Sequence, residues 1–266
     1  CSRAARREAR LGERAHGEAE RGRIETEARG RFYLPLGRGE EVIKTETDIE
    51  KEITVLLRNT TGIAFIYTSG QNIDRLVSFY KAACRTNRLF VIDVYTATIL
   101  DELKEFAALP HAGARFKNVK VFYPEWLCQR MIREGHEEIL AKYRNREIKI
   151  EEIGDKADRI VMMTRASMLK DIDQIAKIDG GAFIYSMWSG YLQEKSMETM
   201  LEWIRKSNLA FHSVHTSGHA SISTLKKVVD ALKPQRIIPI HTFYPEQYAA
   251  LGANVEAVAD GDFLKL

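Results

Sequence analysis

The sequence predicts an α/β fold: a parallel sheet of at least six strands with helices on both faces. Short, unbroken apolar runs recur along the chain: Gly62 to Tyr67, Leu89 to Val94, Val119 to Tyr123, Arg159 to Met163, and Ala182 to Tyr185. A strand buried on both sides reads as such a run, whereas a half-exposed strand alternates. Between the runs lie stretches with apolar residues at helical spacing, the mark of parallel strands joined by helical crossovers. No run of about 18 apolar residues occurs, which excludes a membrane-spanning helix.

Each element has its own local signal. Thr47-Asp48-Ile49-Glu50 has the form of a capping box, a hydroxyl at the N-cap with a carboxylate three residues on. Ile49, Ile53, Leu56 and Leu57 then share one helical face as far as about Asn59. After the first strand, Thr68-Ser69-Gly70-Gln71-Asn72 reads as a turn, followed by a helix with Leu76, Phe79, Tyr80 and Ala83 inward. Further on come a helix from about Met197 to Ser207 and a strand over Asn208 to Val214. Leu225, Val228, Val229 and Leu232 form a helix face that stops at Lys233-Pro234. Arg236 to Ile240 reads as a strand interrupted by Pro239, and Ala257 to Leu266 as a hairpin around Asp260-Gly261. There is no internal repeat.

At 266 residues the chain has room for one large domain or two smaller ones. Its 45% apolar and 29% charged residues are the balance of a globular protein. A net charge of +3 is too even to point to nucleic acid by itself. Cys1, Cys84 and Cys128 contain no CxxC pair and leave an odd thiol, as expected of a reducing, cytoplasmic setting. A lipidated start at Cys1-Ser2 is the competing reading, and nothing else in the chain looks extracytoplasmic. Residues 1–40 differ from the rest. From Arg3 to Arg31 they are nearly all Arg, Glu, Ala and Gly, with Leu11 and Ile24 the only large apolar residues. Such a stretch has no face to bury, so it reads as a non-globular tail or as out-of-frame translation of GC-rich DNA.

Histidine carries the chemistry. Four of the seven histidines, His212, His215, His219 and His241, fall within thirty residues near the C-terminus. His215-Thr216-Ser217-Gly218-His219 lies between a strand and a helix, where open α/β sheets bind ligands and free helix amides suit a phosphate. His241 follows a strand in the same way, and an imidazole there suits zinc.

These residues carry a resemblance. Val214-His215-Thr216-Ser217-Gly218-His219-Ala220-Ser221, a helix, Leu232-Lys233-Pro234 and Ile237-Ile238-Pro239-Ile240-His241-Thr242 together resemble the RNA-specificity segment of the β-CASP metallo-β-lactamase-fold nucleases. That group includes ribonuclease J and the mRNA 3′-end-processing endonuclease. His219 and His241 lie 22 residues apart, as in two successive β-CASP motifs. Upstream, Tyr67 to Arg75 is similar to the start of the β-CASP insertion. Met162 to Ser167 and Tyr185 to Gly190 are similar to later loops that face substrate phosphates.

The resemblance covers roughly residues 40 to 266. It implies a β-CASP-like α/β domain over 41–206, then the C-terminal part of a metallo-β-lactamase αββα domain over 207–266. It makes His241 a ligand of a two-zinc centre, and gives His219, and in the ribonuclease J-like branch His215, a catalytic role at the scissile phosphate. Ser69, Arg75, Arg165 and Ser189 become phosphate contacts, although each type also serves as a cap or surface residue. Trp188 and Tyr191 either stack on a base or pack at a cleft.

Full-length members begin with a His-x-His-x-Asp-His half-site, and before residue 40 this chain has only His16. A catalytic zinc needs about three protein ligands and an open position. The expectation is therefore a fragment of a zinc-dependent phosphodiesterase, acting on RNA rather than DNA, inactive alone and binding metal poorly. It would dimerise, aggregate or join a complementing N-terminal half. Two other classes stay open at this point. One is a non-catalytic nucleic-acid-binding or scaffold subunit. The other is a generic phosphate binder using the Ser69-Gly70 turn, which has neither GxGxxG nor GxxxxGK[ST].

Overall fold

The computed structural model describes residues 44–216, 220, 222–239, 245–252, 254–259 and 261. Lys44–Thr216 is one compact unit, and the described residues beyond it belong to a second.

The first unit opens with helix α1, Glu46–Asn59. Its capping box falls two residues earlier than the sequence suggests. Thr45 is the N-cap, its hydroxyl accepting from the Asp48 amide while Asp48 accepts from the Thr45 amide. Glu50, expected to close a box with Thr47, instead sits 8% exposed and accepts from Arg85 at 2.7 Å. The side chain that the expected box would have placed at the helix end is needed between helices. Ile49, Ile53 and Leu57 point inward as read.

Six strands follow: β1 (Ala64–Tyr67), β2 (Leu89–Asp93), β3 (Val119–Phe122), β4 (Ile160–Met163), β5 (Ala182–Tyr185) and β6 (Ala210–Ser213). They form one sheet in the order β3-β2-β4-β1-β5-β6, with every pair parallel. The register is continuous through the centre, where Phe65 lies opposite both Met162 and Phe183, and Phe183 opposite Phe211.

Alternate residues feed two separate cores. Ala64, Ile66, Phe90, Ile92, Val121, Val161, Met163 and Ile184 meet α1, α2 (Ile73–Arg85) and α3 (Val94–Glu102), with α4 (Glu125–Arg133) and α5 (Glu137–Lys142) beside them. Phe65, Val91, Met162, Phe183 and Tyr185 meet α6 (Ile150–Asp155), α7 (Leu169–Ile172) and α8 (Lys195–Lys206). Apolar side chains on both faces are what made each strand an unbroken apolar run in the sequence.

The sequence places a boundary after residue 206. The sheet nevertheless takes in β6, and the unit ends at Thr216, whose hydroxyl donates to the Lys44 carbonyl at 2.6 Å. In the second unit, helix α9 (Ile222–Leu232) forms where its apolar spacing predicts. Of the strand expected over Arg236 to Ile240, the described residues show one parallel bridge, Ile237 to Val255, and Ile240 lies outside them. Pro239 has no amide to extend a ladder. A short 3-10 helix spans Pro245–Leu251. Asp260 and residues 262–266 of the expected hairpin lie outside the described residues. Among the described residues no helix is long and apolar enough to cross a membrane.

Arg88 locks the amino edge of the sheet. It is 6% exposed and donates to the carbonyls of Gly62 (2.8 Å), Leu57 (3.2 Å), Ile160 (3.3 Å) and Thr60. One side chain thus ties the end of α1 to the starts of β1 and β4. Arg88→Met fills similar space but strands those acceptors, so urea unfolding is expected to show a loss of about 3 kcal/mol. An unchanged midpoint would show that water or backbone rearrangement satisfies them.

Candidate functional site

Parallel strands deliver all their carboxyl ends to one edge. After β1, β2 and β3 the chain turns to the first face, into α2, α3 and α4. After β4 and β5 it turns to the other, into α7 and α8. Because β4 lies between β2 and β1, neighbouring loops diverge there and leave a crevice, the place where open α/β sheets receive ligands. The sequence-predicted residues Ser69, Arg165, Ser189 and His215 all lie in loops at this edge, after β1, β4, β5 and β6 respectively.

Their individual surroundings differ. Ser69 forms the turn before α2, its hydroxyl accepting from the Gln71 amide at 3.2 Å. Ser189 is exposed at the start of the 3-10 turn Ser189–Gln193. In that loop Trp188 and Tyr191 pack edge to face at 5.3 Å, and the Tyr185 hydroxyl donates to the Trp188 carbonyl at 2.9 Å. Tyr191 remains 43% exposed. His215 is half-buried after β6, near enough for its charge to be felt at Glu46.

Arg75 departs from its expected role. It is 1% exposed, so it has no face to offer a substrate phosphate. Its guanidinium is held by Glu46, with Nη2 donating to Oε1 at 2.8 Å and Nε bridging both oxygens at 3.1 and 3.2 Å. Its Nη1 reaches the Ser186 hydroxyl and carbonyl. The Ser186 hydroxyl donates to the Val214 carbonyl at 2.5 Å. Arg75 therefore fixes the β5 and β6 exits relative to α1, and so fixes the segment that carries His215.

Burial alone would raise the Glu46 carboxyl. Hydrogen bonds from Arg75 and Ser78, together with the Arg75 charge, more than reverse this and hold it below the usual carboxylate range.

Arg165 is half-buried at the crevice. Its Nε donates to Asp93 Oδ2 at 2.6 Å and its Nη2 to Thr96 Oγ1 at 3.0 Å, while the group lies 5.2 Å from the Tyr95 ring centroid. Asp93 ends β2 and caps α3, its other oxygen accepting from the Thr96 amide at 2.7 Å. Gly70 comes so close that a Cβ there would stand 2.6 Å from the Arg165 guanidinium and 3.0 Å from Thr96 Oγ1. The Gln71 amide nitrogen donates to the Tyr95 hydroxyl at 3.2 Å. A cavity of about 300 Å³ opens here, between Asp93, Tyr95, Trp126, Arg165, Ser167 and Met168.

Sequence reading passed over Asp93, Tyr95, Trp126 and Glu46. A carboxylate closing an otherwise apolar strand, with aromatics just after two strand ends, was the available signal. His219 and His241 lie outside the described residues.

Residues 205–252 match the family model of the Zn-dependent metallo-hydrolase RNA specificity domain. The chain carries the sequence of that domain near its C-terminus. The match begins inside α8, crosses β6 and His215, and ends with the 3-10 helix Pro245–Leu251. A protein of unknown function from Enterococcus faecalis V583 has a similar fold, with a TM-score of 0.58 and 17% identity over 88% of this chain. This chain spans about half of that protein's length, 48%. No curated protein matches the chain. The matched family is Zn-dependent, and among the described residues no group of three His, Cys, Asp or Glu side chains is placed to hold a metal. The described residues thus do not by themselves fit a zinc centre.

Since Glu46 is held below its ordinary range, its contribution is full above that range and lost as pH falls through the lowered value. Glu46→Gln should therefore be less stable than wild type at pH 7, with the gap in urea midpoints closing below about pH 4.3. A gap that stays constant down to pH 3 would contradict the pairing.

Proposed function

We propose that the protein works in its complete form as a zinc-dependent metallo-hydrolase of the β-CASP kind, cleaving phosphodiesters in RNA. The observation that carries this reading is the RNA-specificity match over residues 205–252, which is continuous with the strand that brings His215 to the ligand-binding edge of a parallel sheet. In this reading Lys44–Thr216 corresponds to the β-CASP unit, and the following residues to the end of a metallo-β-lactamase domain. His241 is a metal ligand, and His219 and His215 act at the scissile phosphate. Zinc would supply an activated hydroxide and charge stabilisation.

The described residues serve the strand rather than the metal. Ser69 and Ser189 offer hydroxyls along the edge, and Arg75 acts as a positioning residue through Ser186 and Val214. Arg165 is shared between Asp93 and Tyr95, a setting that suits an uncharged part of the substrate better than a phosphate.

Two measurements test the reading. Fluorescence anisotropy at low salt, in the presence of a chelator, should show a labelled single-stranded RNA binding more tightly than DNA of the same sequence. Equal affinity, or none, would remove RNA as the substrate class. Elemental analysis should find zinc below two ions per chain, and less in His241→Ala. Zinc content that the substitution leaves unchanged would remove His241 from the ligand set.

A further inference from the structure

The cavity between the ends of β2, β3 and β4 has walls of a particular chemistry. Among its lining residues the one cation is Arg165, and its guanidinium is already engaged by Asp93 and Thr96. Asp93 is 1% exposed, and its charge balances Arg165. An entering phosphate would meet a carboxylate with no unpaired cation to offset it. The pocket is therefore built for something uncharged.

It is also built for something flat. Tyr95 and Trp126 both line it and are 41% and 50% exposed. Both rings are held in place. Tyr95 lies under the Arg165 guanidinium and accepts a hydrogen bond from Gln71. Trp126 stands in the first turn of α4, where the Glu125 amide donates to Asp171 at 3.0 Å. Arg130, itself paired with Glu134, lies 5.8 Å from the Trp126 centroid. Fixed, exposed rings bind planar heteroaromatics at little entropic cost, and stacking of this kind accepts any base. Ser167, at the rim, adds a hydroxyl for a base edge. The volume of about 300 Å³ is at the small end for ligand pockets and holds a base with room to spare; the chemistry of the walls, rather than the space, disfavours a phosphate.

We propose that this cleft is a subsite for one unpaired nucleobase presented by a single strand, with the flanking phosphates lying outside it. The proposal rests on the RNA reading above and deepens it. The cleft itself has no free cation to grip a mononucleotide, so the rest of the strand supplies the remaining affinity.

The test uses the full chain, a labelled unstructured ten-nucleotide RNA, and anisotropy across a salt series. Trp126→Ala and Tyr95→Ala should each weaken binding roughly tenfold. Trp126→Phe should retain most of the affinity. Phe106→Ala, which truncates a more exposed ring after α3, should change nothing. The slope of log affinity against log salt should be the same in all variants, because no phosphate contact is removed. RNA binding that survives both alanine variants at wild-type strength would overturn the subsite and leave the RNA reading intact. A reduced salt slope in either variant would overturn it too, by showing that the cleft contacts phosphate.

If RNA does not bind at all, the RNA reading falls. Adenosine then decides whether the cleft takes a base: quenching of tryptophan fluorescence that is lost in Trp126→Phe supports it, and no quenching overturns it. Displacement of RNA by micromolar AMP would overturn presentation by a strand in favour of a free nucleotide.

Discussion

Parallel pairing is the constraint on which everything else depends. Parallel neighbours cannot be joined by a tight turn, so the six strands of Lys44–Thr216 are linked by crossovers, each of which must pack on one face or the other. Both faces of β1 to β5 are then covered, each over its own apolar core. The same rule sends six carboxyl ends to one edge, where backbone and side chains meet solvent. Because β4 sits between β2 and β1, and its chain departs to the opposite face from theirs, the helices part at the centre of that edge. The crevice follows from strand order and from the face each crossover takes.

Two buried guanidinium groups secure the two ends of the sheet by different means. Arg88, at the amino edge, neutralises no carboxylate by direct contact and spends its donors on backbone carbonyls. It works as a fastener where α1 and two strands converge. Arg75, at the carboxyl edge, is matched by Glu46 and passes the constraint through Ser186 to Val214. A planar fork with five donors can do either, which an ammonium could not. Arg165 is a third arrangement, half-buried, with its charge offset by Asp93 and its guanidinium over the Tyr95 ring.

The fold was legible because burial on two faces writes unbroken apolar runs, and helices with one buried stripe write a different period. Strands β1 to β5 and the helices from Glu46, Ile73, Lys195 and Ile222 follow from that contrast, whereas β6 is largely exposed and is placed by its pairing with β5. The predicted strand at Arg236 to Ile240 shows its limit, since Pro239 has no amide for a ladder and among the described residues the run makes a single bridge. The Thr47 capping box shows another. Thr45 and Thr47 offer the same hydroxyl, and the choice between them was made by Glu50 pairing with Arg85, 35 residues away. The site was partly legible for a similar reason. Loop residues after strands could be placed at one edge, but whether Arg75 faces substrate or Glu46 depends on a partner 29 residues upstream. Asp93 and Trp126 gave no motif, because what joins them is a cavity and not a spacing.

The hydrogen bond from Thr216 to the Lys44 carbonyl has a topological consequence. The first and last residues of the unit stand side by side, so the chain enters and leaves through a single doorway. A module with such a doorway can be spliced into a surface loop of a host protein without prising that loop apart. The host's own strands could continue in register on either side, as though the guest were a long hairpin tip. Joining residues 44 and 216 through a short linker and opening the chain at an exposed turn would, by the same geometry, give a permuted module with the same sheet.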